Sequence, residues 1–301
     1  GCLPADHELA FSRTRGLLKT EADLVVVIGT PLDFRLSFGR FGDAKVIHVV
    51  DSPEQQAGHA ETELSLVGPI DKALASWADH TGERADHEPW IARLRDLESW
   101  AANDEAAALG ADSHPIKPSR IYGEVRQRLD RDAVVVNDGG DFVSYSGKYI
   151  DSYEPGCWLD PGPYGCLGTG MGYAIAARIA RPDKQVVVMM GDGAAGFSLM
   201  DVDTLVRHKL PVVIVVGNNG IWGLEKHPMQ AIYGYDVAAE LAPGTRYDEV
   251  VNALGGAGEI VDTPEDIAPA LDRAFASGEP YLANVPTDPE DAAFRAIFAT
   301  D

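Results

Sequence analysis

Basic residues are scarce in this 301-residue chain: Lys plus Arg number 25 against 47 Asp plus Glu, a formal net charge of −22. Such a surface repels phosphate backbones and anionic lipid, so nucleic-acid and membrane-surface partners are not expected. Cysteine is scarcer still, and Cys2, Cys157 and Cys166 are an odd number in no metal-ligand spacing. A disulfide scaffold is not expected, and a reducing, cytoplasmic setting is. Long apolar runs are missing too. Leu24–Ile28 and 185–190 fall far short of the ~20 residues of a membrane span. The opening Gly-Cys-Leu-Pro lacks an initiator Met and a charged-then-apolar leader, so a fragment or a processed chain is expected.

What is present is a globular composition, 45% hydrophobic and 24% charged. Doubly apolar runs at Leu24–Ile28, Lys45–Val50 and Leu64–Val67 read as strands, with helices over 11–20 and 70–77. Residues 80–117 turn polar, Ala-rich and Pro-punctuated around a helix over 90–100, and 101–116 reads as a linker. From 117 a second unit begins: strands over 133–136, 185–190, 212–216, 259–261 and 281–285, and helices over 121–129, 173–179, 198–208, 245–254 and 265–276. β-Branched runs alternating with helices predict an α/β fold of two three-layer domains with mostly parallel sheets. In such sheets ligands sit at the carboxyl ends of strands.

The unusual residues fall at those ends. One strand ends in Gly191-Asp192-Gly193, and the next in Asn218-Asn219, one crossover later. Asp and Asn side chains, a backbone carbonyl and diphosphate oxygens can complete an octahedral Mg2+ site. The glycines admit a phosphate to the backbone, and the helix after Ala194 turns its amide end to the anion. Each half alone is also an ordinary tight turn or strand cap. The pair, at this interval, is more specific.

Gly-Asp-Gly followed by Asn-Asn at this spacing resembles the signature of thiamine diphosphate enzymes. More narrowly, it resembles the group holding acetolactate synthase, oxalyl-CoA decarboxylase and 2-hydroxyacyl-CoA lyase. By that resemblance, residues 1–100 correspond to the later part of a nucleotide-binding-like middle domain. Residues 117–301 would correspond to the diphosphate-binding domain, and the resemblance implies that an N-terminal pyrimidine-binding domain is not among these residues.

The resemblance implies that Asp192 and Asn219 bind the metal through side chains and Ile221 through its carbonyl. Gly191, Gly193 and Ala194 would lie against the diphosphate. In Gly165-Cys166-Leu167-Gly168, the Gly165 carbonyl would take a hydrogen bond from the aminopyrimidine. Leu167 would wedge the cofactor into its bent shape, although core packing explains Leu167 equally. Gly140, in Asp138-Gly139-Gly140-Asp141, would contact the cofactor. Asp141 departs from the neutral polar residue expected there, because a carboxylate beside diphosphate is repulsive.

Leu224 would bound the substrate pocket. Glu225 stands where related decarboxylases place a proton-transferring glutamate, and a partly apolar pocket would raise its pKa. The other reading is an exposed Glu opening a helix with Lys226. His208 and His227 are assigned nothing. In the middle domain, 29–35 resembles the flavin-binding segment of acetolactate synthases, but Pro31 replaces a basic residue. FAD is therefore less expected than ADP or CoA, and Asp51 is a candidate ribose contact or a plain turn former.

The expected activity is thiamine-dependent carbon–carbon lysis of a 2-hydroxyacyl-CoA to formyl-CoA plus an aldehyde or ketone, reversible as carboligation. An acetolactate synthase-like carboligase using pyruvate and a non-catalytic subunit of a split enzyme are the alternatives. The resemblance also implies a homo-oligomer, dimer or tetramer. A neighbouring chain or missing segment would bring the activating glutamate, so this chain alone should be inactive on its small acyl substrate. The tail 288–301 is a candidate lid stump.

Overall fold

The computed structural model describes residues 3–80, 82 and 86–291. Cys2 and the tail from 292 lie outside the described residues. The chain divides into a smaller unit, Leu9–Asp104, and a larger one from Glu105 onward that takes in the described residues before Leu9.

The smaller unit carries a parallel sheet in the order β1 (Leu24–Ile28), β2 (Lys45–Val50), β3 (Leu64–Val67). β1 alternates, burying Val25 and Val27 while Leu24, Val26 and Ile28 face outward. Val46, Leu32 and Phe41 complete this core. The helix expected over 11–20 shrinks to Leu17–Thr20. Thr14 Oγ donates to the Phe11 carbonyl, and this local bond, with Gly16, competes with a helical turn. The helix expected over 90–100 runs from Glu88 to Leu109. Residues 101–109, read as linker, are therefore helical. Their Ala-rich sequence has the intrinsic propensity for it.

The larger unit is a parallel sheet of β4 (Val134–Asp138), β5 (Trp158–Leu159), β6 (Val186–Gly191), β7 (Val213–Asn218), β8 (Ala257–Ile260) and β9 (Tyr281–Pro286). Their spatial order is β5-β4-β6-β7-β9-β8. The central strands are buried on both faces, which their unbroken Val and Met runs require. Period-two alternation sorts them. Val135, Val187, Met189 and Val215 face the helices Pro118–Arg126, Asp141–Tyr149 and Pro264–Ala276. Val136, Val188, Met190 and Ile214 face Gly170–Ala180 and the segment after β6. The result is a three-layer αβα unit.

Two elements were not anticipated. Asp141–Tyr149 is a helix, although Asp-Phe-Val-Ser-Tyr is poor in strong helix formers; Phe142, Tyr145 and Tyr149 bury against the sheet and supply the driving force. β5 pairs with β4 over two residues only, too short to show periodicity.

Candidate active site

β6 and β7 pair in register from Val187↔Val213 to Gly191↔Gly217. Their carboxyl tips therefore emerge side by side, with Asp192 one residue beyond β6 and Asn219 one beyond β7. A cavity lies between them, and its lining includes Gly140, Gly191, Asp192, Gly193, Ala194, Asn219, Ile221, Leu224 and Glu225. Gly165 and Leu167 are not in its lining.

Asp192 is 3% exposed. Its Oδ2 accepts from the Gly220 amide at 2.7 Å and its Oδ1 from the Gly193 amide at 3.0 Å. The first bond ties the two strand tips together directly. Burial lifts the Asp192 carboxyl from an ordinary 3.8 to about 6, against the lowering effect of those amides. Asn219 Oδ1 accepts from the Ile221 amide at 3.1 Å, so the carboxamide oxygen turns toward the residue whose carbonyl is the third expected ligand. Asn218 points elsewhere. Its Nδ2 donates to the Thr245 carbonyl and to Asn284 Oδ1, making it a core link rather than a site residue.

Three neighbours of the site escaped the sequence reading. Trp222 lies on Gly193: a β-carbon there would stand 2.4 Å from the indole Cζ3, so only glycine admits the ring. Tyr247 donates its hydroxyl to the Asp192 carbonyl at 3.2 Å. Residues 239–241 return alongside the Asn219 loop, with the Trp222 amide donating to the Ala239 carbonyl and the Leu241 amide to the Gly220 carbonyl. Only the Gly-Ile-Trp-Gly spacing hinted that Trp222 was near the site. Tyr247 and Ala239 carried no local signal, because both arrive through tertiary contact.

Asp138 is fully buried, and its two oxygens accept from the amides of Gly168 at 3.1 Å and Gly170 at 2.7 Å. It anchors the 165–170 segment to the β4 tip, and burial raises its carboxyl above the ordinary range. Gly168 adopts φ +87°, a left-handed conformation that favours glycine, and sits against Phe197. The Gly165–Gly168 segment is thereby fastened beside the helix Asp192–Ser198.

Leu224 packs on Gly140, where a β-carbon would be 2.8 Å from its own. Glu225 lies on the cavity rim and is exposed, in the first turn of the helix Gly223–Tyr233. The partly apolar enclosure expected for it is not formed by the described residues, and the helix-opening reading describes its placement. His227 is buried, with Nε2 at 3.0 Å from the Pro289 carbonyl, a packing role. In the smaller unit, Asp51 Oδ1 accepts from the Ile70 amide at 3.2 Å, at the start of the helix Ile70–Asp79.

No Lys, Arg or His lines the cavity among the described residues, and no cluster of three His, Cys, Asp or Glu with metal-binding geometry occurs among them. Two buried carboxylates, Asp141 and Asp192, with a carboxamide oxygen and glycine-lined amides and no cationic side chain among the described lining residues, form a donor set suited to an anion held through a hard cation.

Residues 138–285 match the thiamine pyrophosphate enzyme family over its C-terminal TPP-binding domain. The chain belongs to the thiamine pyrophosphate enzymes. It is 55% identical over 294 residues to a protein named acetolactate synthase large subunit IlvG of Mycobacterium tuberculosis, covering 97% of this chain and 53% of that protein. It is 34% identical to 2-hydroxyacyl-CoA lyase 2 of Caenorhabditis elegans, over 93% of this chain and 46% of that one. With 2-hydroxyacyl-CoA lyase 2 of Homo sapiens the identity is 30%, over 95% and 47%. This thiamine pyrophosphate enzyme chain thus spans about half the length of the curated relatives it matches. Among the described residues, no helix is long and apolar enough to cross a membrane.

Proposed function

We propose that the cavity between β6 and β7 binds thiamine diphosphate through Mg2+, and that the whole protein makes or breaks carbon–carbon bonds beside a carbonyl. One observation carries this reading: Asp192 and Asn219, on neighbouring strand tips, line the same cavity, and no cationic side chain lines it among the described residues. Asp192, Asn219 and the Ile221 carbonyl would hold the cation, and the amides of Gly193 and Ala194 would face the diphosphate. Bound thiamine diphosphate supplies a carbon nucleophile and an electron sink for the carbon–carbon step. The chain's own contribution is to fix the diphosphate, seat it against the Trp222 ring, and bound the reacting end with Leu224.

For the substrate, the 55% relative named acetolactate synthase weighs toward carboligation of a 2-oxo acid such as pyruvate. The second reading, lysis of a 2-hydroxyacyl-CoA, is favoured by Glu225 on the rim, placed to exchange a proton with a substrate once a partner surface closes over it. The same reading makes the protein a homo-oligomer, in which a glutamate from outside this chain activates the cofactor. The deciding experiment gives the full-length protein thiamine diphosphate, Mg2+ and either pyruvate or a 2-hydroxyacyl-CoA. Acetolactate as product selects the first substrate and formyl-CoA the second. A full-length protein that binds no thiamine diphosphate refutes the site assignment itself.

A further inference from the structure

Asp141 is the residue that the family resemblance leaves as a misfit, a carboxylate beside a diphosphate site. It opens the helix Asp141–Tyr149 and is 8% exposed. It lines the same cavity as Asp192 and Asn219. Its carboxylate and the Asn219 carboxamide both lie near Gly223. A β-carbon on Gly223 would stand 2.9 Å from Asp141 Oδ2 and 3.6 Å from Asn219 Nδ2. The opposite end of that carboxamide, Oδ1, accepts from the Ile221 amide.

We propose that Asp141 is a positioning residue for the cation site, setting which way the Asn219 carboxamide faces. This rests on the cofactor reading above. A carboxamide offers one acceptor end and one donor end of nearly equal size, and only the oxygen can ligate a hard cation. A carboxylate beside it attracts the NH2 end and repels the oxygen. Asp141 therefore holds Nδ2 on the Gly223 side and leaves Oδ1 on the Ile221 side, where the cation would be shared. The repulsion that a carboxylate costs toward the diphosphate is offset by a correctly presented ligand. Outer partners of this kind characteristically tune metal affinity by about 10–100-fold.

The test uses the full-length protein with thiamine diphosphate and Mn2+ in place of Mg2+, the free ion being read from its paramagnetic resonance signal. Asp141→Asn keeps the shape and removes the charge, and it should weaken Mn2+ binding about tenfold. Asp141→Ser, which cannot offer a competing amide, should weaken it in the same direction, and circular dichroism confirms that both variants are folded. Because Asp141 acts through Asn219, the double variant Asp141→Asn/Asn219→Ala should bind no worse than Asn219→Ala alone. Unchanged or tighter Mn2+ binding in Asp141→Asn, or additive losses in the double variant, overturns the proposal. Absence of Mn2+ uptake by the unsubstituted full-length protein is a separate result, and it removes the cofactor reading together with this one.

Discussion

Asp192 Oδ2 and the Gly220 amide are joined by a 2.7 Å hydrogen bond that spans the tips of two adjacent parallel strands. The same carboxylate is the charged ligand of the cation in the proposed function, so one side chain would both build the cavity and equip it. Asp192→Ala should lower the affinity for magnesium thiamine diphosphate roughly a hundredfold, at the upper end of the 1.5–3 kcal/mol typical of a hydrogen bond to a charged group. Isothermal titration calorimetry measures this. Affinity equal to that of the unsubstituted chain would show that the carboxylate is not a ligand.

A second relationship sets a packing limit. A β-carbon on Gly217 would fall 1.5 Å from Phe142 Cζ, so the ring occupies the space a side chain would need. Gly217→Ala should cost about 1–3 kcal/mol through overpacking. In a Phe142→Ala background, itself about 3–5 kcal/mol less stable than the parent, Gly217→Ala should add little further loss, because the ring it would strike is gone. Urea unfolding of the three variants gives the values, and additive destabilisation in the double variant would contradict the contact.

Asp138 carries no expected chemical role yet holds the 165–170 segment through two amides. Asp138→Ala leaves both donors without their acceptor, a cost of about 1–3 kcal/mol for each buried group stranded. The accompanying expectation is faster amide hydrogen exchange at Gly168 and Gly170, with little change at Gly220. Uniform exchange across both segments would mean that Asp138 merely contributes to global stability.

Acid sensitivity should come in part from Asp248, which is 1% exposed. Burial alone would raise its carboxyl, but hydrogen bonds from Arg246 and Asn284 outweigh that and hold it below the ordinary range. A depressed native value means that the unfolded chain binds the proton first. The stabilisation is complete above about pH 4, where unfolded Asp titrates, and fades as pH falls through the lower native value. Asp248→Asn should therefore be less stable than the parent at pH 7 and approach it at pH 3. A constant gap between the two in thermal melts across that range would rule this out.

The parallel sheet and its strand tips were legible in the sequence because Val-rich runs buried on both faces have no other soluble use. That Asp192, Gly193 and Asn219 would share one cavity was legible because they directly follow those runs. The helix Asp141–Tyr149 was not, since its aromatic residues serve tertiary packing and override weak local propensity. Nor was the exposure of Glu225, because whether a helix-opening glutamate meets solvent depends on what lies across the cavity mouth. Trp222 and Tyr247 reach the site from positions whose local sequence gives no period or cap to announce them.

The strand-like return of 239–241 along the Asn219 loop places the shape of that loop partly under the control of residues some way downstream. The antiparallel bridge between Ile221 and Glu240 works as a splint. A change in the length of 234–238 would shift which backbone groups meet across it. The Gly-Asp-Gly and Asn-Asn letters could then stay intact while Asn219 no longer lined one cavity with Asp192.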